Sequence, residues 1–552
     1  MINSRRPLAL LLLFLLPALA CGIGGSDGPP RNATIVEVIA NTSLAPWLED
    51  AVEAFNDEEL ETAAGRPVYV QLTSADAGQA VIDIQGGARA DLWIPDQQVW
   101  TNVLAREGND AFQNSCVSVA ASPLVIAMWR PAAEALGWPG RDLGWLDIGS
   151  LAADPGSWDY YSGGQFGDVL RLGHTHPGLS ASGANTLLAI VQAAELKTTA
   201  VDVSDIEQPI VQASVGAFEG AVAWFSSSTG ALSETMRDRG VQFLGAAVVY
   251  ESDVVNYGAA DPDAGNPGIV PIYPFEGTFV ADHPACLHDA GPAETREGAQ
   301  IFRDYLLGEP AQESALAYGL RPVNDAVTLG PPLDETRGID LSQPQRVFAA
   351  PGADAIYAVQ ELWQSARQDV NLVMVVDVSG SMSGGKIESL RRSAVQFVEQ
   401  MGEDDYLSVI TFSSMPQSLV KYQRVGDNRQ AIVDAILGLE AQGDTALYDA
   451  IVDGANLLGN TESPETTNAM VILTDGLDTS SFRHSQDSAA QTLADSAATV
   501  FTIAFGNDAD ENLLQSMALS ANGNFFHGDE ASIAAIYDEM SAAFGGIVGV
   551  GR

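Results

Sequence analysis

Basic residues are scarce in this chain. Lysine and arginine together number 26 against 72 aspartates and glutamates, for a net charge of −46. A surface of that sign repels nucleic acid and anionic lipid headgroups and attracts divalent cations, so no nucleic acid is expected as a partner. The acids are scattered rather than run together, so the excess also fits plain solubility in a salty or extracellular medium. Charged residues make up only 18% and apolar ones 46%, which describes a globular chain and not a disordered one. The chain contains no GxSxG, no HExxH and no Cys/His pair in a catalytic motif. The motif-borne hydrolase classes therefore find no support, and the chain reads as non-enzymatic. Cysteine is limited to three residues, without CxxC or Cys/His metal spacing. An internal repeat of 20–50 residues and low-complexity tracts are also missing. The length of 552 residues gives a prior of three or four domain units.

The longest apolar run lies at the N-terminus. Arg5 and Arg6 precede the apolar residues 8–16, Pro17 breaks the run, and Ala18, Leu19, Ala20 and Cys21 follow. A positive start, a short apolar stretch and small residues before a cut describe an export signal. The run is too short for a comfortable bilayer span. Cys21 directly after the small residues resembles the lipobox of bacterial lipoproteins, which implies acylation at Cys21 and a membrane anchor facing outward. Ala18 stands where that motif usually has leucine, so an ordinary cleaved signal is the other reading. Residues 22–33, with Gly, Ser and Pro-Pro, suit a flexible tether. Cys116 and Cys286 remain as an even pair in an exported chain, which points to one disulfide.

Beyond the tether, residues 34–40, 68–72 and 90–96 read as strands, with helices over 47–55 and 79–85 between them. Strands alternating with helices predict an α/β fold with a parallel sheet. A crossing strand at 122–127, a second α/β unit over 129–256 and a return at 270–278 follow. This order is similar to that of extracellular solute-binding proteins of the molybdate/sulfate-binding type. The phrases that carry the likeness are 90–96, 122–127, His176-Pro177-Gly178-Leu179-Ser180-Ala181-Ser182-Gly183, 220–226 and Tyr318-Gly319-Leu320-Arg321-Pro322. The resemblance implies a two-lobed, periplasmic-binding-protein-like domain over 34–330 that closes on a small solute.

Candidate solute contacts sit in polar loops ahead of helices: Thr42 and Ser43, then Ser180 and Ser182, then Ser226 with its two serine neighbours. A helix N-terminus with free N–H groups favours anions, although each hydroxyl also fits as a cap of its own helix. Asp96 and Glu276 argue against a purely anionic ligand and suit a cation or an amine. The solute is left open. His174 and His176 would be neighbours on one strand face, fitting either a surface pair or a metal site. Residues 331–352, with Pro-Pro and few periodic apolars, read as a linker that leads into an amphipathic helix, the two together spanning 331–367.

The last segment carries the sharpest motif. Residues 372–376 are continuously apolar, as in a central buried strand, and deliver Asp377-Val378-Ser379-Gly380-Ser381 at the C-terminal end. A hard cation such as Mg2+ wants about six oxygens, and Asp-x-Ser-x-Ser places three oxygen side chains in one loop. Thr445 opens a later helix, and Asp475 ends another apolar strand. Together these pieces resemble the von Willebrand factor A family over 368–548, a doubly wound, Rossmann-like fold. The resemblance implies direct metal ligation by Ser379, Ser381 and Thr445, with Asp377 and Asp475 acting through water. It also implies an open coordination position for a partner's carboxylate. Mg2+ is the expected ion, with Ca2+ or Mn2+ as alternatives. Residues 380–386 nearly spell a P-loop, but Ile387 stands where that motif needs Ser or Thr. The expected protein is an exported, membrane-anchored surface protein that binds a protein or matrix ligand and a small solute. The alternative is a substrate-binding receptor of an ABC-type importer, with the last domain as a docking element.

Overall fold

The computed structural model describes residues 28–550 apart from 168, 262, 264, 464, 465 and 497. The export signal and Cys21 lie outside the described residues. Three sheets organise the chain. In the first, Val68–Ser74, Thr34–Ala40 and Leu92–Ile94 run parallel, and Pro284–Leu287 and Cys116–Ser118 continue the sheet antiparallel. Cys116 lies opposite Cys286 in this last pairing, and the two are disulfide-bonded. Helices Ala45–Asp57 and Ala293–Leu306 cover the sheet, with Phe55 edge-on to Phe302 at 4.9 Å.

The second sheet is built on Ser122–Trp129, every residue of which is buried. It lies antiparallel to Ala246–Tyr250 and to Ile269–Ile272, and Leu172–Thr175 and Val222–Ser226 extend the sheet in parallel. A strand with no solvent face has to be apolar throughout, and residues 123–129 are. The chain crosses from the first lobe to the second through 119–121 and returns through 282–283. At the return, the Asp282 and His283 amides both donate to the Asp96 carbonyl, at 3.1 and 3.2 Å. Asp96 is thereby pinned at the base of the cleft between the lobes.

Residues 331–352 are folded onto this two-lobed unit: Leu333, Ile339 and Phe348 are buried, and the Phe348 amide donates to the Thr278 carbonyl at 2.8 Å. Helix Ala353–Ala366 follows and buries Ile356, Val359 and Trp363.

The third sheet has the order Pro416–Arg424, Tyr406–Phe412, Asp369–Asp377, Thr466–Thr474, Thr499–Phe505, Phe525–Gly528. All pairings are parallel except that of the first two strands. The antiparallel edge strand is exposed over 417–419 and 421–423, partly buried at its two ends, and buried only at Val420; its polar sequence hid it from a search for apolar runs. The central strands Asp369–Asp377 and Thr466–Thr474 are buried through their C-terminal halves. Helices Gly385–Gln400 and Leu447–Gly459 begin beside the loops at that edge.

The C-terminal domain is packed against the second lobe. Trp224 stacks on Phe501 at 5.7 Å, and Trp363 meets His176 and Phe225 edge-on at 4.4 and 5.3 Å. At the foot of the connecting helix, Arg367 makes a bidentate pair with Asp405, both nearly fully buried.

Candidate functional site

At the C-terminal edge of the third sheet, the loop after Asp369–Asp377 and the end of Thr466–Thr474 meet. Asp377 is fully buried; one carboxylate oxygen accepts from the Ser379 amide at 2.8 Å and the other from the Thr474 hydroxyl at 2.7 Å. Those donors hold the carboxylate in place while burial raises its pKa. The Ser379 and Ser381 hydroxyls are 3.0 Å apart, and Ser381 donates to Asp475 at 2.6 Å. The Gly380 amide donates to the Gly443 carbonyl at 2.9 Å, which draws the 443–445 loop onto the first loop. A Cβ on residue 380 would lie 3.3 Å from that carbonyl, so the approach is tight for anything but glycine. Thr445 is held by its backbone: its amide donates to Thr479 at 3.0 Å, and its carbonyl accepts from the Thr479 and Ser480 amides. Lys386, which the sequence reading did not single out, places its ammonium 2.5 Å from the second oxygen of Asp475.

This donor set fits a hard divalent cation. Two buried carboxylates and two hydroxyls converge, and a lysine cation already answers one of the carboxylates. Among the described residues no group of three or more His, Cys, Asp or Glu stands together as a metal cluster. Here two carboxylates and two hydroxyls make up the set instead.

The cleft between the lobes brings together Thr42, Asp96, Ser180 and Ser182. Asp96 is fully buried and accepts from the Asn41 amide group at 3.0 Å and from the Tyr250 hydroxyl at 2.6 Å. Burial and the neighbouring Asp76 push its pKa up to about 8, so the charged form is disfavoured there. Ser182 bonds the Thr175 and Thr229 hydroxyls at 2.7 and 2.8 Å.

The other three expected contacts hold different places. Ser43 donates to Asp253 of the second lobe at 2.9 Å, a further bond between the lobes, and does not cap the following helix; Asn41 caps the turn Thr42–Leu44 instead. Ser226 ends its strand, and its carbonyl accepts from the His176 amide. Glu276 caps helix Trp145–Ala153 by accepting from the Trp145 amide at 3.2 Å. The two histidines are also not a surface pair. His174 is bonded to Glu219 at 3.0 Å and His176 to the Gly546 carbonyl at 2.8 Å, and both are buried. Asn41, Asp76 and Thr229 are cleft residues that the sequence reading missed.

These buried groups set a pH profile. Asp96 and Asp253 are raised to about 8 and about 7, chiefly by burial. The folded state then binds their protons where the unfolded chain does not, so their stabilisation is full below pH 4 and is lost as pH rises through 7 and 8. His176 and His283 are lowered to about 3, again chiefly by burial. Here the unfolded chain binds the protons, and stability is lost as pH falls below 6.5. Between those limits the two effects oppose each other. The expected result is a stability plateau near pH 5–6.5 and a loss of about 1 kcal/mol per pH unit around pH 7. Urea unfolding followed across pH 4–9 measures it; stability rising from pH 6.5 to 8 would contradict the assignment.

The comparisons with known proteins divide at the connecting helix. The bacterial extracellular solute-binding protein family matches residues 36–321, and the von Willebrand factor type A domain family matches 371–539. A Synechocystis protein, itself uncharacterized, is 30% identical over 168 residues, which is 30% of this chain and 40% of that protein. The human inter-alpha-trypsin inhibitor heavy chain H3 is 28% identical over 163 residues, 28% of this chain and 18% of the relative. The chain thus spans less than half the length of either relative. Among solved structures, a von Willebrand factor type A protein from Catenulispora acidiphila shows 22% identity and a TM-score of 0.30, covering 32% of this chain and 42% of that one. The sulfate-binding protein SubI of Mycobacterium tuberculosis H37Rv shows 17% identity and a TM-score of 0.39, covering 53% of this chain and 88% of that one. Among the described residues no helix is long and apolar enough to cross a membrane. With more than half of its residues matched, the chain belongs to the bacterial extracellular solute-binding protein family, and it carries a von Willebrand factor type A domain behind that module.

Proposed function

We propose that the protein is an exported, lipid-anchored surface protein whose C-terminal domain grips a protein or matrix ligand through a bound divalent cation. The observation that carries this reading is the convergence of Asp377, Ser379, Ser381 and Asp475 at one sheet edge, with the Thr445 loop drawn onto it. Ser379, Ser381 and Thr445 would hold the cation directly, and Asp377 and Asp475 would orient its waters. Neutral hydroxyl ligands leave the ion electrophilic, and a carboxylate from the partner would complete its coordination. Mg2+ fits the oxygen-only donor set, as do Mn2+ and Ca2+. Acylation of Cys21 would set this face outside the membrane. A net charge of −46 makes a basic or neutral partner surface around the bridging carboxylate the favoured complement.

The test uses the full chain and Mg2+ alone. Calorimetry is expected to show one divalent site. Asp377→Ala and Ser379→Ala should each weaken it by at least about tenfold while far-UV circular dichroism stays unchanged. Undiminished Mg2+ affinity in both folded variants would sink the reading.

A further inference from the structure

Asp76 sits immediately before helix Ala77–Gln85 in the first lobe and is nearly fully buried between the lobes. The two carboxylate oxygens are surrounded by donors. One accepts from the Thr42 hydroxyl, from the Thr42 amide at 3.3 Å and from the Asn41 side chain at 3.3 Å. The other accepts from the Ser180 hydroxyl at 2.5 Å and from the Thr229 amide and hydroxyl at 2.9 and 2.8 Å. Asn41 and Thr42 belong to the first lobe, and Ser180 and Thr229 belong to the second. These contacts span the cleft.

Ser180 stands at the N-terminus of the fifteen-residue helix Ala181–Glu195, yet its side chain does not cap that helix. Its hydroxyl turns to Asp76 instead. Thr229 begins helix Thr229–Arg239, whose cap is Ser228. Amides and hydroxyls at helix starts, aimed at one buried anion, form the arrangement that binds a free oxyanion. Here the anion is part of the chain.

The lobes are also in backbone contact beside this carboxylate. The Gln79 amide donates to the Leu179 carbonyl at 2.9 Å, and a Cβ on residue 78 would lie 2.3 Å from the Gly178 carbonyl oxygen. The loop 176–180 is held from its other side as well. The Gln360 side chain donates to the Pro177 carbonyl at 2.9 Å, and the Val550 amide donates to the Gly178 carbonyl at 3.0 Å.

We infer that the cleft is self-liganded: the Asp76 carboxylate occupies the oxyanion cradle, holds the two lobes closed without solute, and makes the N-terminal module a locked platform for the C-terminal domain. An incoming oxyanion would meet a fixed negative charge and would compete for donors already satisfied, so the native chain excludes it. The role assigned to Asp76 is independent of any metal at the C-terminal site. It also separates this module from a transport receptor, which must open and release.

Removing the carboxylate should turn the cradle into a free site. Inorganic sulfate and inorganic phosphate, each alone, are titrated into the full chain and into its Asp76→Ala variant by calorimetry, with melting followed in parallel. The expected result is no heat from the native chain and 1:1 binding of one anion to the variant. The variant's melting temperature should be lowered without anion and restored in its presence. A variant that folds only when anion is supplied supports the same conclusion. Should Asp76→Ala not fold at all, native mass spectrometry of the unaltered chain decides: the bare chain mass supports self-liganding, and a stoichiometric small molecule overturns it. Sulfate or phosphate binding by the native chain, or a folded variant whose melting temperature ignores both anions, also overturns it.

Discussion

Asp405→Ala is expected to destabilise the C-terminal domain by about 3–5 kcal/mol, because it leaves a buried guanidinium without its partner. Arg367 and Asp405 are 4% and 2% exposed at their side chains and share a two-pronged bond near 3.0 Å. Few alternatives are at hand. Apart from Asp405, the Arg367 guanidinium donates to the Gln368 carbonyl at 2.8 Å. The pair is unequal, and this gives the prediction its edge. Asp405 also accepts from the Val370 amide at 2.9 Å and from the Gly402 amide at 2.6 Å, so it keeps two donors if the arginine is lost. Arg367→Met, which preserves volume, should therefore cost clearly less than Asp405→Ala. Chemical denaturation followed by far-UV circular dichroism compares them. Equal losses would show that the amide contacts of Asp405 carry no weight.

Trp363→Ala is expected to cost about 3–5 kcal/mol, the range for deleting a large buried aromatic side chain. The further expectation is that unfolding separates into two transitions. Trp363 lies on the helix between the modules. Its indole N–H donates to Glu219 at 2.8 Å, and its ring packs on His176 and Phe225. Glu219 is buried and would retain His174, at 3.0 Å on its opposite oxygen, as its side-chain partner. One continuous apolar cluster includes Trp129, Trp224, Trp363 and Phe501, and so runs from the second lobe through the helix into the third sheet. Scanning calorimetry should resolve an early C-terminal transition in the variant that is merged in the native chain. A single, merely shifted transition would mean that the remaining contacts, the Trp224–Phe501 stack and the bonds of His176 and Gly178 to Gly546 and Val550, suffice to couple the modules.

The C-terminal domain was readable in the sequence because its chemistry and its topology use the same residues. Residues 372–376 and 470–473 are continuous apolar runs that have to be central strands, and the oxygen side chains follow where those strands end. Its edge was not readable. Strand Pro416–Arg424 has a solvent face and the polar composition of a loop, and only its pairing with Tyr406–Phe412 makes it a strand. In the N-terminal module the same reasoning found the order of strands but chose some of the cleft residues wrongly. Glu276 follows a recognisable strand, yet it faces a helix start that lies 131 residues earlier in the chain. Asp76 carries the commonest of helix-start signatures, an acid just before a helix, and nothing in its neighbours marks it as a bridge between lobes. His174 and His176 carry no local sign of burial; Glu219 and the Gly546 carbonyl, their partners, are 45 and 370 residues away.

Legible in the residues themselves were the alternation of strands and helices and the loop Asp377-Val378-Ser379-Gly380-Ser381 at a strand end, while the two-module order and the complements Thr445 and Asp475 came with the family resemblance. The strand and helix alternation and the loop depend on periodicity, composition or spacing within a few residues. The tertiary structure decided which polar groups meet. It placed Asp76 among donors from both lobes, buried Asp96, set Glu276 at a helix start, bonded Ser43 across the lobes to Asp253, and clamped loop 176–180 between the first lobe and the chain's C-terminal residues. The reason is the same in each case. A hydroxyl or a carboxylate has no directional preference that its own neighbours can satisfy uniquely, so its partner is chosen only when packing brings distant segments within about 3 Å.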